Sequence, residues 1–210
     1  MLPGPTNVPP GVARAMLKPL MGHRGPEIKQ LHTRVLEKTK KVFETKGDLF
    51  ILTSSGTGAT ECALQNAIDD GDKVVVTVNG FFSERLSDAI KAYGGKPVAI
   101  SSKWGRSSRI EDFRKVLKAN PDAKLLAVVY NETSTGATVK CMEELSELCS
   151  EQDLLLMVDA ISILGGDELP VYKWNVDLCV TASQKCLMCP PGLSFVSVSE
   201  KAWSRIRAKR

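Results

Sequence analysis

The stretch DLCVTASQKCLMCPPG, residues 177–192, decides the reading of this chain. A short apolar run ends in small polar residues, then presents one lysine, two cysteines and two prolines. Proline fixes φ and lacks an N–H, so the segment after Lys185 is a poor helix. A lysine on a helix face would need no explanation, but a lysine just past a buried strand invites one. It can be a surface charge, an ion-pair partner or, when desolvated, an amine nucleophile that forms a Schiff base with a carbonyl.

Similar apolar runs recur upstream and downstream: LFIL (49–52), VVVTV (74–78), KPVAI (96–100), LLAVVY (125–130), LLLMV (154–158) and SFVSV (194–198). Helical patterns separate them. Ile28, Leu31, Val35 and Val42 make an amphipathic stripe after a Pro/Gly-rich arm. The turn TSSGTG opens a second helix, and residues 83–93 read as a third, with Gly94 as its stop. Residues 110–118 and 142–152 complete the set. Strands that are apolar throughout, alternating with helices, predict a three-layer α/β/α fold with a mostly parallel sheet.

Composition narrows the function. A chain of 210 residues, 43% hydrophobic and 25% charged, suits one sizeable globular core. No apolar run approaches the roughly 20 residues of a membrane span, so no membrane association is expected. The first residues, MLPGPTNVPPG, lack a charged region followed by an apolar core, which argues against a secretory signal. A net charge of +4, without Lys and Arg interleaved with aromatics, argues against a nucleic-acid partner. The six cysteines are expected as free thiols in a reducing cytoplasm. Cys186 and Cys189 form a lone C-x-x-C without two further ligands, so no metal site is expected.

In parallel sheets, ligands gather outside the carboxyl ends of the strands. The residues just past the runs are TSSGTG, NGFF, NETSTG, DAIS and TASQK, which read as one site. The stretch Ser55, Gly56, Thr57, Gly58 opens a helix, where backbone N–H groups can cradle a phosphate. It lacks the G-K-[ST] of a P-loop and the third glycine of a dinucleotide fingerprint, and it also suits an ordinary turn. Asp159 is either a helix cap or a carboxylate for a cationic ring nitrogen. Phe82 is either core or a face for stacking a flat ring. A phosphate cradle, an aromatic face, an Asp and a Lys together meet the needs of pyridoxal 5′-phosphate, which has a phosphate, a flat ring, a protonatable nitrogen and an aldehyde.

The run 2–203 resembles the large domain of the class V, fold type I pyridoxal-phosphate aminotransferases. The group in view is the alanine–glyoxylate, serine–glyoxylate and serine–pyruvate aminotransferases. The resemblance is carried by PGPTNVPP, GHRGPE, SSGTGATE, NGFFSER, NETSTGA, VDAISILGG and SQKCLMCPPG. It implies that Lys185 holds the cofactor as a Schiff base and that Asp159 pairs with the pyridinium nitrogen. Ile161 would pack on one ring face and Phe82 on the other, where many relatives carry tryptophan. Ser55, Gly56, Thr57 and Gln184 would hold the phosphate. Thr133 would bring a hydroxyl near the ring's 3-oxygen, and Gly4 would line the substrate pocket.

The implied activity moves an amino group from a small amino acid, alanine or serine, to a 2-keto acid such as glyoxylate or pyruvate. The implied assembly is a homodimer. Residues 1–210 correspond to the large domain, with an N-terminal arm over 1–25. The family's small C-terminal domain, with the arginine that grips the substrate carboxylate, is expected beyond Arg210. A chain ending there reads as a truncation with doubtful turnover. The alternatives are a class V lyase or desulfurase, and a remnant that binds cofactor without turnover. Desulfurases usually carry histidine before the Schiff-base lysine. Gln184 stands there in this chain, which favours the aminotransferase.

Overall fold

The computed structural model describes residues 3–209. Met1 and Leu2, which begin the expected arm, and Arg210 lie outside the described residues. The strands are β1 (Asp48–Leu52), β2 (Lys73–Val78), β3 (Lys96–Ser101), β4 (Leu125–Val129), β5 (Asn131–Glu132), β6 (Ala137–Thr138), β7 (Leu155–Asp159), β8 (Leu178–Ala182) and β9 (Ser194–Val198). The helices are α1 (Pro10–Met16), α2 (Pro26–Phe43), α3 (Gly56–Ala67), α4 (Phe81–Ala92), α5 (Ile110–Ala119), α6 (Met142–Glu151) and α7 (Glu200–Ala208).

Seven strands form one sheet in the order β1-β9-β8-β7-β4-β2-β3. The pairs β2–β3, β2–β4, β4–β7 and β7–β8 are parallel. β9 runs against both β8 and β1, so β1 regains the common direction. The carboxyl ends of β1, β2, β4, β7 and β8 therefore share one edge, as the apolar runs predict. β5 and β6 form a separate small hairpin just past β4.

Apolar strands have no polar face, yet they still alternate. In β2, Val74 and Val76 face one core and Val75 the other. In β4, Leu125, Ala127 and Val129 join the first core, and Leu126 and Val128 the second. The first is closed by Ala59 and Leu64 of α3, Leu86 and Ile90 of α4, and Ala202 of α7. The second is closed by Phe113 of α5, Leu145 of α6 and Phe43 at the end of α2. This is the three-layer α/β/α arrangement that the alternating apolar runs predict.

Some elements depart from the sequence pattern. The stripe Ile28, Leu31, Val35 and Val42 lies in α2, but Phe43 is the helix's one buried residue, and Val35 and Val42 are 37% and 40% exposed. α1 sits inside the expected arm and starts on Pro10, where a missing N–H does no harm. α7 was not predicted; Ser199 caps it by accepting from Ala202 N. Gly94 follows α4 with φ of +84°, a conformation that favours glycine, and so ends the helix as expected. Among the described residues, no helix is long and apolar enough to cross a membrane.

Asp177 ties three elements together at the far edge of the sheet. Its buried carboxylate accepts from Leu156 N at 2.9 Å and from Ser199 Oγ at 2.6 Å. Removing it leaves two donors without their charged acceptor. Asp177→Ala is expected to cost about 3 kcal/mol, the scale of hydrogen bonds to a buried charge. Equilibrium unfolding in urea checks this; a loss below about 1 kcal/mol would show that water replaces the carboxylate.

Candidate active site

Lys185 lies in a loop and not on a helix because its neighbours tie the chain into turns. Ser183 Oγ donates to Pro190 O at 2.6 Å, and Cys189 N donates back to Ser183 O at 2.9 Å. Met188 N donates to Lys185 O at 2.9 Å. The N-terminal arm closes over this loop. Thr6 N donates to Gln184 O at 2.9 Å, and Thr6 Oγ1 to Lys185 O at 3.0 Å. Lys185 Nζ donates to Pro3 O at 3.0 Å. Gly4, with φ of +115°, sits on the lysine's stem: a Cβ there would lie 2.5 Å from Lys185 Cδ. Gly4 thus touches Lys185 and does not itself line the cavity described next.

A cavity of about 480 Å³ opens at the carboxyl edge of the sheet. Its wall includes Lys185 and Gln184 after β8, and Asp159 and Ile161 at and after β7. Thr133 after β4, Phe82 at the start of α4, and Ser55, Gly56 and Thr57 at the start of α3 complete the expected set. All nine residues singled out for the cofactor line this one cavity.

Asp159 ends β7 half-buried. Desolvation pushes its carboxyl up to about 6, against the opposing pull of the Ile161 amide; Glu132 adds to the rise and Arg85 opposes it. Oδ1 accepts from Ile161 N at 3.0 Å. Oδ2 has no protein donor among the described residues. A carboxylate in this state gains most from a cationic partner.

The start of α3 forms the anion side. Ser55 Oγ caps the helix by accepting from Gly58 N at 3.2 Å. The amides of Gly56 and Thr57, the first two of the helix, have no acceptor among the described residues, and the helix dipole favours an anion there. A Cβ on Gly56 would lie 2.6 Å from Ile161 Cδ1, so glycine lets the helix start approach the cavity wall. Gln184 Oε1 is buried without a donor. Turning its carboxamide over presents the NH₂ group instead, a donor that an anion accepts.

Phe82 is exposed at 36%, unlike the core aromatics Phe43 and Phe113 at 0%. It meets Phe81 edge-on at 5.3 Å. Several wall residues were not singled out from the sequence. Arg85 lies one turn past Phe82 on the same helix face, and its Nη2 donates to Thr57 Oγ1 at 3.3 Å. Asn131 Nδ2 donates to Ser162 Oγ at 2.9 Å, and Ser162 Oγ donates to Asn131 O at 2.9 Å, which binds the β4 and β7 turns together. Both belong to stretches already quoted, NETSTG and DAIS. Their place just past apolar strands was the available signal.

No two of the cysteines are bonded. Burial pushes the Cys149 thiol up to about 12 and raises Cys179 as well, so both behave as packing groups.

Fold and cavity together describe a doubly wound α/β domain with an amine, a desolvated carboxylate and an anion cradle at one sheet edge. Residues 3–209 match the family described as Aminotransferase class-V, and the chain belongs to it. An uncharacterized aminotransferase of Methanocaldococcus jannaschii is 45% identical over 99% of this chain and 54% of its own length. The serine–glyoxylate aminotransferase of Hyphomicrobium methylovorum is 37% identical over 96% of this chain and 51% of its own. The crystal structure of alanine–glyoxylate aminotransferase from Nostoc sp. superposes with a TM-score of 0.96 at 35% identity, covering 100% of this chain and 55% of that one. The chain spans about half the length of the curated relatives it matches.

Membership implies pyridoxal 5′-phosphate as the cofactor. The residues present fit that group. The free amides of Gly56 and Thr57 and the orphaned Gln184 carboxamide suit a phosphate. The unpaired side of Asp159 suits a ring cation, and the exposed Phe82 face suits a flat ring.

The raised Asp159 carboxyl has a stability consequence. A group whose folded value exceeds its unfolded one is charged at a penalty, which sets in as pH rises above about 4 and is complete above about 6. Asp159→Asn keeps an oxygen for the Ile161 amide and removes the charge. The cofactor-free variant is therefore expected to be more stable than wild type by about 1–3 kcal/mol at pH 8. The gap should close as pH falls through 6 towards 4. Unfolding midpoints across this range check it; a variant less stable at pH 8 would contradict the desolvation argument.

Proposed function

We propose that residues 1–210 are the cofactor-carrying large domain of an aminotransferase. It moves an amino group from a small amino acid, alanine or serine, to a 2-keto acid such as glyoxylate or pyruvate. The observation that carries this reading is the meeting of Lys185, Asp159 and the α3 start on one cavity. The serine–glyoxylate and alanine–glyoxylate aminotransferases among its relatives support it.

Bound in this cavity, pyridoxal phosphate supplies an aldehyde that condenses with amines and a ring that accepts electron density from the amino acid's α-carbon. The chain's own residues supply the rest. The α3 amides and Gln184 would hold the phosphate. Asp159 would hold the ring nitrogen's proton through its unpaired Oδ2. Phe82 and Ile161 would confine the ring. Thr133 would offer its hydroxyl to the ring's 3-oxygen. The Lys185 amine would anchor the cofactor, and its Nζ, freed when a substrate amine takes its place, would take the α-proton as base and return it as acid to the cofactor's aldehyde carbon. Gly4 leaves room beside that amine.

The same reading makes the protein a homodimer. Exposed Met16, Leu17 and Leu20, at 63%, 82% and 102%, support a covered surface along the arm.

Lys185→Ala in the full-length protein is expected to lose the visible absorbance of bound cofactor. It should also slow glyoxylate-dependent consumption of alanine or serine at least about 10³-fold, the scale of a lost acid–base group. Transamination at a near-wild-type rate would sink the assignment of Lys185.

A further inference from the structure

We infer that Glu132 is a positioning residue: with Ser134 it caps the first turn of α4 from outside the helix, and so fixes where Phe82 presents its ring to the cavity. The inference rests on the cofactor reading proposed above.

The N-cap of α4 is Gly80, which has no side chain with which to cap it. The first amides of a helix have no partner within it and need one from elsewhere. Here every one of the first three is taken by the turn after β4. Phe81 N donates to Ser134 Oγ at 3.0 Å. Phe82 N donates to Glu132 Oε1 at 3.2 Å, and Ser83 N to Glu132 Oε2 at 2.8 Å. Ser134 also braces the carboxylate, donating to Oε1 from Oγ at 2.7 Å and from N at 3.1 Å.

Glu132 is 0% exposed, so its charge has been taken wholly out of water. Burial alone would push the carboxyl up. Instead the donors from Ser134, Ser83 and Phe82 outweigh burial and hold it below the usual range, so it stays ionised at neutral pH. A negative charge is also favoured at a helix N-terminus. Gly80 makes the seat possible, since a Cβ there would lie 2.5 Å from Glu132 Cδ.

Neither core holds Phe82. Its ring is outside both cores and touches Phe81 only edge-on. Its place is therefore set by its backbone, which the carboxylate holds. Between Glu132 and Ser134 stands Thr133, which lines the same cavity. One tripeptide thus sets the distance between the aromatic face and the hydroxyl across the cavity. Glutamine cannot substitute fully. Whichever way its carboxamide turns, an NH₂ group faces a backbone N–H.

The test is a cycle in the full-length protein, read by titration with pyridoxal 5′-phosphate and by unfolding midpoints without cofactor. Phe82→Ala is expected to weaken cofactor binding about tenfold, the scale of one stacking contact. Glu132→Gln should weaken it severalfold while the protein stays folded. The double variant should bind no worse than Phe82→Ala within about twofold, because Glu132 acts through the ring. If Glu132→Gln does not fold, Ser134→Ala takes its place with the same expected pattern. Losses that multiply in the double variant, or a folded Glu132→Gln that binds as wild type, would overturn the inference and leave Glu132 a structural cap only. A wild-type protein that does not bind the cofactor would overturn the cofactor reading itself.

Discussion

Parallel pairing of β2, β3, β4, β7 and β8 obliges each of these strands to leave the sheet at the same edge. β1 joins them because β9, running the other way, separates it from β8. The inner strands β2, β4, β7, β8 and β9 are buried on both faces, so their side chains are committed to packing. Chemistry is left to the turns, and the turns all fall together. Residues as far apart as Ser55 and Lys185 meet without any long loop to bring them there.

That convergence sorts charge across the cavity. The α3 start offers amides and a helix dipole, with Arg85 braced on Thr57 beside it. On the same cavity lies Asp159, held in a wall that disfavours its charge. Without a ligand both ends are poorly satisfied: amides lack acceptors, Gln184 Oε1 lacks a donor, and a carboxylate lacks a cation. A molecule with a phosphate at one end and a cationic ring nitrogen at the other answers both. The cavity is therefore a place where the fold gives up stability that a zwitterionic ligand restores.

The sheet was legible because its strands are apolar throughout and bounded by turn residues. Its direction was legible because helices separate the strands. The reversal of β9 was not: SFVSV carries no mark of direction, and only its pairing with both β8 and β1 sets it. α2 shows the opposite case, where a helical stripe was plain but its burial was not, since burial depends on what packs against it. Among site residues, Lys185, Asp159 and the Gly-rich turn stood out because each is chemically unusual just past an apolar strand. Glu132 did not. An acidic residue in a polar turn looks solvated, and its burial comes from α4, some 50 positions earlier in the chain. Arg85 was hidden for the same reason, as one charge among several on an exposed helix.

Lys185 draws on a third long-range constraint. Lys185 hangs from a loop that prolines keep from becoming a helix, and a loop alone would leave a four-carbon side chain free to wander. The arm removes that freedom. Thr6 fastens to the backbone of Gln184 and Lys185, Gly4 lies against the lysine's stem, and the Pro3 carbonyl accepts from Nζ. A side chain on Gly4 would meet the stem first. The beginning of the chain and residue 185 thus form one unit around the amine, and the arm belongs to the site as much as the strand ends do.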